Sequence, residues 1–222
     1  ILYWRFWVPF YRSMKVNLKV EKVVIEGPGV VSVIMKGKHL DTLNAQGGQF
    51  FGWRFLSKGH FLMSHPFSLS AAPTEKHLRI TVKDLGDHSR SVADLKPGTR
   101  VFVEGPYGAF TAGRASRKHV VLIGGGVGIT PVRALIEEFR GSVQIDVIVR
   151  ASSSKDLVLH EEMDYLAAQS EMDPAKRAAM FVRMNDMPIN DIAIIPVVYR
   201  PRTSAAVNNL VAPLSGWDND LW

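Results

Sequence analysis

The chain contains no cysteine. That removes a disulfide framework, thiolate metal sites, cysteine-ligated iron–sulfur clusters and a thiol nucleophile in one step. Histidine is sparse and scattered, at positions 39, 60, 65, 77, 88, 119 and 160. No two stand four residues apart, so a helix-borne zinc site is not expected. Two phosphate signatures are missing as well. The glycine-rich stretch from Gly124 has Ile129 where the dinucleotide fingerprint needs its third glycine, and no Gly-Lys-Ser/Thr follows as in a P-loop. The opening residues lack the pattern of a signal peptide, because no small-residue cleavage site follows an apolar region.

What is present is a globular balance: 222 residues, 46% of them hydrophobic, with a net charge of +6. A chain of this size makes one large or two small domains and buries roughly 70% of its unfolded surface. The positive charge suits nucleic acid, a membrane surface or phosphate-bearing ligands.

Ile1 to Tyr11 carries six aromatic residues, with Arg5 among them and Arg12 just after. Aromatic rings with a basic flank concentrate where a membrane meets water. The run is too short to span, which takes about 20 residues. It reads as the cytoplasmic end of a transmembrane helix, or else as an amphipathic arm packed on its own domain.

Six strands are then expected, punctuated by glycine and proline: Asn17 to Ile25 with a bulge, Val30 to Met35, Gln49 to Leu56, His65 to Ser70, Leu78 to Lys83 and Arg100 to Glu104. Their alternation and spacing predict a small antiparallel barrel. In His65-Pro66-Phe67-Ser68, proline holds the chain extended and presents a ring followed by a hydroxyl. That pair suits a flat heteroaromatic ligand. After Lys83 and Gly86, Ser89 is the expected cap of a short helix bearing Val92 and Leu95, a start able to hold a pyrophosphate.

From His119 the texture changes. His119 to Ile123 is a continuous apolar run, as in a strand buried on both faces. It leads into Gly124-Gly125-Gly126-Val127-Gly128-Ile129-Thr130-Pro131. A helix follows, with Thr130 as the expected cap and Val132, Leu135, Ile136 and Phe139 at helical spacing. A strand over Val143 to Val149 and a helix marked by Leu159, Met163, Leu166 and Ala167 complete a β-α-β-α pattern, hence a parallel sheet. Glycines before a helix let backbone N–H groups approach a diphosphate.

The aromatic Gly-Gln-Phe strand, His-Pro-Phe-Ser, Val82-Lys83-Asp84-Leu85-Gly86-Asp87-His88-Ser89, Gly105-Pro106-Tyr107-Gly108 and the glycine loop stand in an order that resembles the ferredoxin–NADP⁺ reductase superfamily. More narrowly, they are similar to the flavin dehydrogenase part of ferric-reductase-like and NADPH-oxidase-like membrane proteins. The likeness covers about residues 1–170. It implies an α/β plus all-β chain: a six-stranded antiparallel FAD-binding barrel followed by a truncated parallel-sheet nucleotide-binding domain.

By that resemblance, His65, Pro66, Phe67 and Ser68 form the flavin motif. Phe67 would pack on the flavin, and Ser68 would have the catalytic part of hydrogen bonding near N5. Val82 and Lys83 would line FAD, while Gly86, His88 and Ser89 would hold its pyrophosphate. Gly125, Gly126, Gly128, Ile129 and Thr130 match the NAD(P)H loop. Arg150 and Ser152 lie where the adenosine ribose or its 2′-phosphate is contacted, and an arginine there favours NADPH. The implied reaction is hydride transfer from NAD(P)H to FAD, then single-electron release to a haem or ferric acceptor. The implied partners are a membrane haem domain, which would hold the haem, and a small-molecule or ferric acceptor, at the cytoplasmic face of the inner membrane. No nucleic-acid partner is expected.

After Ser170 the resemblance stops. Asp173 to Met180, Asp191 to Pro196 and Ser215 to Trp222 are instead similar to the C-terminal end of oligopeptide-binding proteins of ABC importers. The expected division is an arm at 1–14, the FAD-binding barrel at 15–112, a partial NAD(P)-binding domain at 113–172 and a foreign tail at 173–222, with a seam near Gln169 to Pro174. A soluble reductase feeding an oxygenase or carrier, and a non-catalytic binding protein or remnant, are the competing readings.

Overall fold

The computed structural model describes residues 7–57, 63–140, 142–151, 158–170 and 194–196. It opens with helix α1, Val8–Val16, closed by Asn17 in the left-handed conformation, whose N–H donates to the Ser13 carbonyl. This helix is tied to the domain that follows. The Ser13 hydroxyl is held between the N–H and the carbonyl of Val103, at 3.0 and 3.2 Å. Arg12 donates to the carbonyls of Thr42, Leu43 and Gly105. Trp7 and Tyr11 stay exposed. The arm is therefore packed on its own domain over this stretch, and residues 1–6 lie outside the described residues. Among the described residues no helix is long and apolar enough to cross a membrane.

The six expected strands are β1, Lys19–Gly27; β2, Val30–Lys36; β3, Phe50–Phe55; β4, His65–Ser68; β5, His77–Lys83; and β6, Val101–Tyr107. They divide into two three-stranded antiparallel sheets, ordered β1-β2-β5 and β4-β3-β6. Isolated bridges Lys19↔Arg100 and Leu69↔Ile80 join the sheets, in place of one continuous ladder. The register of β1 slips at Val20/Lys22 and Ile25/Gly27, where its alternation breaks down. Alternate residues of β3, namely Phe51, Trp53 and Phe55, point into the shared core with Val33, Met35 and Ile80, all fully buried. Between β5 and β6 lies the short helix α2, Asp87–Ser91, continuing as a 3₁₀ turn to Asp94.

The second half holds β7, His119–Gly125; a 3₁₀ turn at Gly126–Gly128; α3, Ile129–Phe139; β8, Gln144–Arg150; α4, His160–Ser170; and β9, Ile194–Pro196. β7 and β8 run parallel as the β-α-β pattern requires, with Gly125 opposite Arg150. β9 pairs antiparallel with β8, so the sheet is mixed rather than wholly parallel. α3 and α4 bury one sheet face through Leu122, Ile129, Leu135, Met163 and Leu166. The expectation of a strand buried on both faces fails for β7. Val121 and Ile123 are 53% and 69% exposed, because among the described residues nothing covers the opposite face. Val30 of the first half packs into this second core, joining the halves.

Candidate functional site

The His65–Ser68 segment is held as a strand on the edge of its sheet. Its partners on β3 are Trp53 for His65, Gly52 for Pro66, Phe51 for Phe67 and Phe50 for Ser68. Pro66, which has no N–H to donate, suits an edge position. The buried Trp53 indole donates to the Phe67 carbonyl at 2.8 Å, fixing the peptide between ring and hydroxyl. The rings of His65 and Phe67 stack with centroids 6.1 Å apart, which covers part of the Phe67 ring. The Ser68 hydroxyl is half-exposed and makes no hydrogen bond among the described residues. It is available to a ligand.

The Leu69↔Ile80 bridge carries the antiparallel register from β4 onto β5 and sets Phe67 level with Val82. Val82 is buried and Lys83 half-buried. The next turn is tightly organised. Asp84 accepts from the Gly86 N–H at 3.2 Å and from Arg90 at 2.8 Å. The Arg90 hydrogen bond holds the Asp84 carboxyl below its ordinary range. The Ser89 hydroxyl accepts from the Leu85 N–H at 2.7 Å and donates to the Gly86 carbonyl at 2.9 Å. Ser89 is thus not the cap: Gly86 is, with φ 152° and ψ 179°. The hydroxyl proton of Ser89 is held inside the turn, so this residue shapes the loop. His88 lies within α2.

The glycine loop differs in the same way. Helix α3 begins at Ile129 with Gly128 as cap, and the Thr130 hydroxyl lies in the first turn, donating to the Val127 carbonyl at 3.0 Å. A Cβ added to Gly124 would meet Val132, Gly128 and Ile129 at 3.2–3.3 Å, so that glycine serves close strand–helix packing. Gly126 has φ +54°, and a Cβ there or at Gly128 would meet nothing within 4 Å. Those two glycines leave open space on the outer side of the turn. Arg150 is exposed at the end of β8, opposite Gly125, while Ser152 lies outside the described residues.

The Gly126–Gly128 turn packs against β5. β5, which ends at Val82–Lys83, thus neighbours both β4 and the glycine turn. Sequence reasoning left out two aromatic residues that the strand pairing places beside Ser68. Phe50, opposite Ser68, and Tyr107, opposite Phe50, have ring centroids 5.6 Å apart and are 37% and 41% exposed. Both occur in quoted motifs, Gly-Gln-Phe and Gly-Pro-Tyr-Gly, and those motifs were the available signal. A half-exposed hydroxyl without a partner, flanking rings and two open glycines fit a flavin and a dinucleotide. Among the described residues there is no cluster suited to a metal ion.

Residues 15–111 match the model of a family described as an FAD-binding domain. Over that stretch, which is less than half of the chain, the sequence is similar to FAD-binding domains. One component of the Na⁺-translocating NADH-quinone reductase of Pseudomonas paraeruginosa is 33% identical over 137 residues, covering 55% of this chain and 33% of that protein. NADPH oxidase 1 of mouse is 28% identical over 133 residues, 58% of this chain and 22% of that protein. The chain thus spans a third or less of the length of these relatives. The flavohaem-like FAD/NAD-binding domain of nitric oxide dioxygenase from Vibrio cholerae superposes with a TM-score of 0.59 at 22% identity, covering 70% of this chain and 71% of that one. That likeness shows the fold: an antiparallel-sheet part joined to a parallel-sheet part.

Proposed function

We propose that the chain is the flavin dehydrogenase module of an NAD(P)H-dependent oxidoreductase. FAD, when bound, would supply the chemistry: it accepts hydride from NAD(P)H and releases single electrons to a haem or ferric acceptor. The protein's part is placement. Phe67, on the core-facing side of β4, offers apolar surface to the flat ring system, while Phe50 and Tyr107 lie on the face that carries Ser68. Ser68 offers a hydroxyl at the ring system's edge. The start of α2, over Asp87–Ser89, and the Gly126–Gly128 turn would offer backbone N–H groups to two pyrophosphates. The observation that supports this reading is that the Gly126–Gly128 turn lies close to β5, the strand that also neighbours β4 and α2.

NADPH is the preferred donor in this proposal. Arg150 is exposed and pairs in register with Gly125, the residue before the glycine turn, and a guanidinium recognises a phosphate better than a hydroxyl pair. The relatives' names divide on the point, one reading NADH and the other NADPH. We further propose a membrane haem domain as electron partner at the cytoplasmic face of the inner membrane, supported by the aromatic, basic composition of residues 1–12. The division at 14, 112 and 172, a six-stranded barrel at 15–112, and a foreign tail at 173–222 rest on the strand spacing and the sequence resemblances.

The test is the visible spectrum of the purified chain with added FAD, before and after anaerobic NADPH or NADH. Bound flavin that bleaches faster with NADPH is expected. A chain that leaves FAD free would remove the reading of His65–Ser68. Flavin that binds but stays oxidised with both donors would remove the nicotinamide reading and leave the flavin site intact.

A further inference from the structure

The two halves are clamped by charges that the proposed chemistry does not use. Arg79 on β5 meets Glu162 on α4 with both teeth of its guanidinium, Nη1 to Oε1 at 3.0 Å and Nη2 to Oε2 at 2.9 Å. The same carboxylate accepts from Arg133 Nε on α3 at 2.8 Å. Arg133 also pairs with Glu137, one turn further along α3. Glu137 in turn accepts the Ala72 N–H at 2.9 Å. On the first-half side, Arg79 binds both the hydroxyl and the carbonyl of Ser70, at 3.1 and 2.9 Å. Ser70 is fully buried and two residues beyond Ser68. Glu138, beside Glu137, accepts the Gly47 N–H in the loop before β3.

The connectivity has a geometric consequence. Helix α3 starts at the glycine turn and ends at the acids. Over its 11 residues it is about 16 Å of stiff rod. Its far end is fastened to backbone on both sides of the flavin seat, before β3 and after β4. Glu162 sits between the two arginines, one from each half. Both arginines are largely buried, with side-chain exposures of 13% and 10%. A buried guanidinium left without its carboxylate is costly, so the halves are held in one arrangement rather than merely in contact.

We propose that Glu162 is a positioning residue: by bridging Arg79 and Arg133 it fixes the glycine turn relative to the His65–Ser68 strand. The consequence for hydride transfer rests on the function proposed above. The bridge itself does not. Burial pushes the Glu162 carboxyl up, and the hydrogen bonds and charge of Arg79 and Arg133 outweigh that and hold it below its ordinary value. The carboxylate is therefore charged at neutral pH.

The absence of cysteine allows a direct test on the full chain. Spin labels are placed at Ile25→Cys on β1 and Ile123→Cys on β7, both highly exposed, and the inter-label distance is measured by pulsed electron resonance. The parent should give one narrow distribution. Glu162→Gln, which keeps the shape and removes the charge, should broaden it. Glu162→Asp should restore part of the sharpness. If Glu162→Gln does not fold, Arg79→Lys, which replaces the fork by a point charge, should broaden the distribution in the same way. A distribution as narrow as the parent's in the folded variant overturns the proposal.

In parallel, flavin reduction by NADPH is followed by stopped flow. Glu162→Gln should slow the limiting rate about ten- to hundredfold with half-saturation by NADPH unchanged, as misplacement predicts. An unchanged limiting rate alongside a broadened distance overturns the link to hydride transfer. A parent that shows a narrow distance but never bleaches overturns the proposed function while the broadening still supports the bridge.

Discussion

The Trp53 indole N–H donates to the Phe67 carbonyl at 2.8 Å, reaching two residues along β4 from its own backbone partner His65. Trp53 is completely buried and its ring lies 5.3 Å from Phe51. The bond fixes the peptide that joins Phe67 to Ser68, so core packing on β3 sets where ring and hydroxyl face. Trp53→Phe removes the donor and strands the Phe67 carbonyl, at a cost of about 1–3 kcal/mol before any cavity term. Melting should fall by about 2–4 °C for each kcal/mol lost. FAD should bind more weakly in the folded variant. Thermal melts and flavin titration check this, and wild-type values for both would show that the bond does not hold the seat.

Ser68 is tested more directly. Its hydroxyl has no partner among the described residues, so Ser68→Ala leaves no buried group stranded and should change stability by less than about 0.5 kcal/mol. If the hydroxyl meets the edge of the reacting ring, losing one hydrogen bond of about 1.5–3 kcal/mol slows flavin reduction by about ten- to hundredfold. Stopped-flow bleaching at saturating NADPH reads that rate. Unaltered reduction with FAD fully bound would show that Ser68 is a strand residue only.

Much of this junction was legible in the sequence, and the misreadings have local causes. The eight strands expected from alternation and apolar runs appear with their ends in place or shifted by up to three residues. The helix caps were misplaced twice for one reason. Ser89 and Thr130 have the side chains that caps prefer, but each sits in the first turn with its hydroxyl on the carbonyl three residues earlier, Gly86 and Val127. The glycines before them start the helix sooner. Phe50 and Tyr107 stood inside motifs already singled out, whereas Arg79 and Glu162 were out of reach because their role arises from contact between a strand and a distant helix. Arg79 and Glu162 are 83 residues apart, and no periodicity records such a contact. β7 reads as doubly buried because composition reports an apolar run without reporting what covers it.

Two glycines of one loop should respond in opposite ways. At Gly124 a Cβ would press on Val132, Gly128 and Ile129 at 3.2–3.3 Å, so Gly124→Ala should lower the melting temperature by straining the strand–helix contact. At Gly128 a Cβ meets nothing within 4 Å and the backbone is already helical, φ −62° and ψ −8°. Because Gly128 caps α3 and valine is a poor cap, Gly128→Val should cost about 1 kcal/mol and still leave the fold intact. It places branched bulk where a diphosphate would approach the helix start, so half-saturation by NADPH should rise at least about tenfold with FAD binding unchanged. Equal loss of FAD and NADPH binding would move the glycine turn out of the nicotinamide site.

Asp164 on α4 gives the fold a pH dependence of known sign. Burial pushes its carboxyl up, His160 one turn earlier draws it down and Glu161 raises it, leaving it at about 6 against 3.8 for a free side chain. Between those two values the folded chain binds more protons than the unfolded one, so stability falls as pH rises through that window and stays lower above it. Asp164→Asn removes the ionisation. It should match wild type below pH 3.8, where both side chains are neutral, and exceed it at pH 7.5. The group is partly solvated, so screening limits the gain to about 1 kcal/mol, or about 2–4 °C in melting temperature. Melts at pH 3.5, 5 and 7.5 resolve the crossover. A variant that is no more stable than wild type at pH 7.5 would show that water or a neighbouring cation satisfies the charged carboxylate in place.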